Sequence, residues 1–172
     1  MDFFEVLDKR RSIRAFTDED VRNDEIETIL SVVMSCPTAG NLQAYKVFVF
    51  RDAKRRLELS KAAMGQPSIA EAPVVLVFAA EPSTSARKYG KKGAEFFAVQ
   101  DATVACTFAH LAATALGLGS VWIGAFDEAK VIEAGTLTGG SRPVALLPIG
   151  HPAESPPRTP RRKKEEAVTK DY

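Results

Sequence analysis

Residues 95–116 constrain the fold most. Helical spacing runs through them, and Ala98, Ala102, Ala105, Ala109, Ala112, Ala113 and Ala115 leave the helix slim and apolar on more than one face. A helix that is apolar nearly all round must be buried, and small side chains let its neighbours approach closely. The chain has 172 residues and 45% hydrophobic content, enough for one well-packed domain. The second face of the helix is therefore covered either within the subunit or by another subunit. Gly117-Leu118-Gly119 ends it. Asp101 and His110 interrupt it and argue against a membrane span, as do the shortness of the apolar run 72–80 and its Pro73.

The remaining elements follow from periodicity and punctuation. Residues 3–10 read as a helix, and Thr17-Asp18-Glu19-Asp20 supplies capping chemistry before a second helix over 24–34, stopped by Pro37. Residues 46–51, 74–80, 120–124 and 144–149 read as strands, and 53–64 and 127–134 as helices. Pro82-Ser83-Thr84-Ser85 opens a polar segment. The pattern is α+β: a small central sheet, mixed or antiparallel, flanked by helices. The domain is expected over 1–152. Residues 153–172 turn to Pro, Arg, Lys and Glu, a composition that builds no core, so this tail must pack on the domain or a partner subunit, or stay disordered.

With 23 basic and 22 acidic residues the net charge is +1, which argues against a general nucleic-acid or membrane-surface binder. Two cysteines, Cys36 and Cys106, without a CxxC pair, and a start at Met1-Asp2 that leads straight into an amphipathic segment, point to a cytoplasmic protein. Cys106 reads as a small buried residue. Cys36 borders a polar loop, yet has no nearby histidine to make it a nucleophile. His110 and His151 stand far apart and form no metal-ligand spacing.

Three clusters carry candidate chemistry. Arg10-Arg11-Ser12-Ile13-Arg14 crowds three guanidiniums and a hydroxyl into five residues, a donor set that suits a compact dianion on a small molecule; the alternative is a solvated basic turn. Pro37-Thr38-Ala39-Gly40-Asn41-Leu42-Gln43 presents amides that could read a heterocycle edge or a polyol, or could satisfy its own bend. Trp122-Ile123-Gly124-Ala125 leaves backbone open to a planar ligand, or is ordinary packing.

These clusters, with Ala72-Pro73 opening a strand, Gln100-Asp101-Ala102, and the run from Leu116 to Gly124, resemble the FMN-dependent nitroreductase family from Phe3 to at least Val168. The resemblance implies a homodimer of α+β subunits with FMN in sites built from both chains. It also implies hydride transfer from NADH or NADPH through flavin N5 to nitroaromatic, quinone or related small-molecule acceptors by a ping-pong mechanism. Chemistry would rest with the flavin rather than with a catalytic side chain.

By the same resemblance Arg10, Arg11 and Ser12 grip the FMN phosphate, Arg14 lies beside the pyrimidine edge, and Arg161 or Arg162 supplies the last phosphate contact. Pro37, Thr38, Ala39 and Asn41 match the loop along the ribityl chain and ring edge, with Gln43 in the same turn, and Gln66 corresponds to the family's amide in the preceding segment. Ile123, Gly124 and Ala125 fall beside the reactive side of the ring. Pro37-Thr38-Ala39 and Ala44-Tyr45 depart from the family's Pro-Ser-Ser and Pro-Trp, which removes one hydroxyl. Two alternatives stand beside the reductase: a flavin-binding or flavin-processing protein without turnover, and a small nucleic-acid binder using Arg10–Arg14 and the basic run 161–164.

Overall fold

The computed structural model describes residues 1–171. Its centre is a four-stranded antiparallel sheet in the order β1 (Tyr45–Phe50), β2 (Val74–Ala80), β4 (Arg142–Gly150), β3 (Gly119–Ser120). Strand β2 is buried along its whole length, so it has no solvent face and reads as a continuous apolar run. Its two faces feed different cores because successive side chains point opposite ways. Val74, Leu76, Phe78 and Ala80 pack toward α2 (Asn23–Val33) and α6 (Ala98–Ala115). Val75 and Val77 pack toward α3 (Ala53–Ala62), α4 (Pro67–Glu71) and α7 (Glu128–Gly135).

Helix starts are set by local side chains. Asp2 and Glu5 form a reciprocal capping box on α1 (Phe3–Lys9), Asp52 accepts from the Arg55 amide at 2.9 Å, and Asp127 from the Lys130 amide at 3.1 Å. The polar segment opened by Pro82 is itself helical, α5 (Pro82–Lys92), and continues through a wide turn at Gly93–Phe97 into α6. Gly93 is required there, since a Cβ would stand 2.5 Å from the Ser85 carbonyl oxygen. The run Pro82–Ala115 has the length and apolarity of a membrane span, but half of its most apolar window is buried in the fold. Ala98, Ala102, Ala105, Ala109, Ala112 and Ala113 are all in the core, while Ala115 is exposed.

One expected strand is shorter than its sequence suggests. Residues 120–124 form a ladder only at Gly119–Ser120, with a single further bridge at Ile123–Leu146. The register never slips, because Gly119 faces Gly150 and Ile123 faces Leu146. Both Ile123–Leu146 backbone bonds are 2.9 Å, so the groups of residue 148 point toward the same neighbour. That residue is Pro148, which lacks an N–H, and the rung opposite Val121 is lost.

The tail carries one short helix, α8 (Lys164–Ala167), and is exposed almost throughout. Its first part is tied to the segment after α1: Ala153 N donates to Ala15 O at 2.9 Å, and Phe16 bridges Pro152.

Candidate functional site

Helix α1 ends at Lys9 and the chain leaves it extended. Ile13 N donates to Ser120 O at 3.0 Å, which lays residues 12–14 along β3. Alternation then buries Ile13 and turns Ser12 and Arg14 outward. Gly119 permits this approach, since a Cβ there would stand 2.7 Å from the Ile13 side chain. The returning tail closes the other side. Glu154 accepts from the backbone amides of Arg14 (2.5 Å) and Ala15 (3.3 Å), and Arg158 pairs with Asp8 at 2.8 Å. Between the two segments lies a cavity of about 210 Å³ lined by Arg10, Arg11, Ser12, Arg14, Arg158, Thr159 and Arg161, with Leu7, Pro156 and Pro157. Of the expected tail pair, both exposed, Arg161 lines this cavity and Arg162 does not.

The arginines are held by backbone and by one buried ring. Arg11 Nη1 donates to Asp8 O at 2.5 Å and to Arg10 O at 2.9 Å; Arg14 Nη1 donates to Ser12 O at 3.4 Å. Arg10 Nη1 lies 3.0 Å from His110 Nε2, and His110 Nδ1 lies 2.6 Å from Ser120 Oγ. Burial first, and then the Arg10 charge, push His110 down to about 4 from 6.5. Burial, Arg161 and Arg11 likewise lower the pKa of Arg10. The site is strongly cationic, with guanidiniums crowded enough to perturb one another.

The amide loop is built differently. It bends through left-handed residues, Gly40 at φ 58°, Asn41 at φ 58° and Gln43 at φ 45°, and its backbone hangs on Asp101, buried in α6. Asp101 accepts from Ala39 N at 2.9 Å and Ala44 N at 3.3 Å, and Thr38 Oγ1 accepts from Gln43 N at 3.1 Å. The Gln43 side chain folds onto Asn41, donating to its carbonyl and, at 2.8 Å, to its Oδ1. A third group forms where Gln66 Nε2 donates to Ala125 O at 3.3 Å. Gly124 and Ala125 are exposed. None of residues 37–43, 66 or 123–125 lines the arginine cavity, so one subunit does not gather the expected contacts into one pocket.

Ile123 is placed differently from its two neighbours: its side chain is buried among Val121, Val131 and Leu146, and both its backbone groups bond Leu146. Burial raises the pKa of the Cys36 thiol and raises that of Cys106 further, which leaves neither suited to act as a nucleophile. Among the described residues no group of three His, Cys, Asp or Glu side chains is placed to hold a metal.

Three structural supports had no assigned site role in the sequence reading: Arg158, which joins the cavity, and Asp101 and His110, which hold the loop and Arg10. The signal for the last two was present, as they are polar breaks in an otherwise apolar helix. Arg158 sits among prolines and gave none.

The chain matches the nitroreductase family model over residues 7–71 and 58–151. It is 34% identical over 174 residues to the NAD(P)H-dependent FMN reductase of Bacillus subtilis (strain 168), covering 92% of this chain and 69% of that one. It superposes on the hypothetical oxidoreductase YcnD from Bacillus subtilis with a TM-score of 0.90 at 31% identity, covering 98% of this chain and 73% of the other. A third likeness is to an NADPH:FMN oxidoreductase from Vibrio harveyi solved with NAD+, with a TM-score of 0.89, 25% identity, and 98% and 76% coverage.

Proposed function

The chain belongs to the nitroreductase family, and on that premise we propose that it holds FMN by its phosphate in the arginine cavity and passes hydride from NADH or NADPH to nitroaromatic, quinone or related acceptors. The observation that carries the reading is the convergence of Arg10, Arg11, Arg14, Arg158 and Arg161 with Ser12 on one cavity of about 210 Å³. Planar guanidinium forks and a hydroxyl match a phosphate dianion in charge and donor geometry, so the residues present fit the group.

Bound flavin supplies the hydride-accepting and hydride-donating centre that no side chain here provides. The protein's share is positioning. Arg10, Arg11, Ser12 and Arg161 hold the phosphate end. Arg14, the most exposed of the N-terminal guanidiniums, would place positive charge beside a reduced, anionic ring. Pro37, Thr38, Ala39 and Asn41, with Gln43, would contact the ribityl chain and ring edge. Gln66, Gly124 and Ala125 would face the ring's reactive side.

These groups do not line one common cavity in a single subunit, which supports a site completed by a second copy. The apolar surface of Met1, Phe3, Val6, Val32, Phe108 and Leu111, with Phe3 63% and Phe4 78% exposed, is the face we assign to that copy. Residues 1–152 would then be the flavin-binding domain, and the tail from 153 a strap over the phosphate. Direct comparison of FMN with riboflavin, which lacks the phosphate, tests the cavity assignment. FMN should bind at least tenfold tighter, the order expected for charge-assisted hydrogen bonds to one group. Equal affinities would overturn it.

A further inference from the structure

Among the described residues, His110 is the one buried titratable group that touches the cationic cluster and that no part of the proposed reaction uses. It is 8% exposed, and its ring is fixed from both sides: Arg10 Nη1 at 3.0 Å from Nε2 and Ser120 Oγ at 2.6 Å from Nδ1. A guanidinium can only donate, so Nε2 must carry the lone pair and Nδ1 the proton, which it donates to Ser120. The charge facing the ring is Arg10, at the end of α1. Behind Arg10 stand Arg11, on the same segment, and Arg161, from the tail. Ser120 belongs to β3, whose backbone receives Ile13 N at 3.0 Å. One ring thus joins the long helix, the end of α1 and the strand that anchors the arginine segment.

We propose that His110, in its neutral Nδ1–H form, is a positioning residue for phosphate recognition: it fixes one arm of the Arg10 guanidinium so that the remaining donors face the cavity. The inference rests on the phosphate reading of that cavity. Without the ring, Arg10 keeps its charge but loses its fixed direction, and the cost falls on a ligand that carries phosphate and not on one that lacks it.

The test is equilibrium titration of FMN and of riboflavin, followed by flavin fluorescence, into the full-length unaltered chain, His110→Leu, His110→Gln, Ser120→Ala and Arg10→Ala. His110→Leu should weaken FMN about tenfold or more, the scale of a lost hydrogen bond to a charged group, and leave riboflavin unchanged. His110→Gln can present an amide oxygen near the Nε2 position and should recover part of the loss. Ser120→Ala should show a smaller loss of the same kind, and it carries the test if His110→Leu does not fold. Unchanged FMN affinity in both His110→Leu and Ser120→Ala, or equal losses for FMN and riboflavin, would overturn the role of His110. Loss of FMN preference in Arg10→Ala, with none in the His110 and Ser120 variants, would sink only this inference. Preserved preference in Arg10→Ala would overturn the part given to Arg10 and with it that of His110, whereas equal affinities of the unaltered chain for FMN and riboflavin would sink the phosphate reading beneath it.

Discussion

Helix α6 buries one polar side chain near each end, and the two ends are built in opposite ways. Asp101 spends both carboxylate oxygens on backbone amides of the 37–44 segment, whose exposed Gln43 and Asn41 side chains bond each other. Nine residues further on, about 14 Å along the axis, His110 takes one donor of Arg10 beside a cavity lined by five arginines and no carboxylate residue. The first end is a satisfied scaffold whose role is shape. The second is a surplus of cationic donors, which is why the proposed anion site falls at this end. A polar interruption in an apolar helix therefore has two meanings, told apart by whether its partners are closed or still in excess.

The sharpest way to break this contrast is Arg10→Ala, which should reduce FMN affinity on the order of a hundredfold while leaving the thermal midpoint of the flavin-free chain nearly unchanged. Asp101→Ala should do the reverse. It strands two amides, one of them buried, and should cost about 2–4 kcal/mol in denaturant unfolding with the FMN-to-riboflavin ratio retained. Next comes pH. The folded His110 stays neutral down to about 4, whereas an unfolded histidine protonates near 6.5. Between those values the unfolded chain binds more protons, so stability falls as pH drops from 6.5 toward 4, by at most about 3 kcal/mol. His110→Leu should lack that slope; a slope equal to that of the unaltered chain would contradict it. The smallest contrast lies in the tail, where Arg161→Ala should weaken FMN several-fold and Arg162→Ala should leave titration curves unchanged.

Elements with strong periodicity were legible in the sequence: the buried helix and the all-apolar run of β2 are found, and the strands expected at 46–51 and 144–149 fall at 45–50 and 142–150. Local pattern failed where a partner decides the outcome. Residues 120–124 are apolar enough for a strand, yet the ladder breaks because Pro148, twenty-odd residues away in sequence, has no N–H to offer Val121. Residues 82–92 are polar and hold Gly90 at φ 57°, so their helical state was not visible until α6 continued them. In the site, clustered cations were readable from spacing alone. Arg158 was not, because Asp8, which holds it, lies 150 residues away. Ile123 is buried and paired with Leu146 while Gly124 and Ala125 are exposed, a difference that a run of adjacent small and apolar residues does not display.

Anaerobic addition of NADPH, and separately of NADH, to the FMN-loaded protein tests the central claim most directly, with the visible flavin absorbance as readout. Bleaching by at least one donor, reversed on adding a quinone or nitroaromatic, is the result predicted. Flavin that is held but stays oxidised with both donors would contradict the reductase and leave a flavin-binding or flavin-processing protein, and a chain that takes up no FMN would contradict the cavity assignment itself.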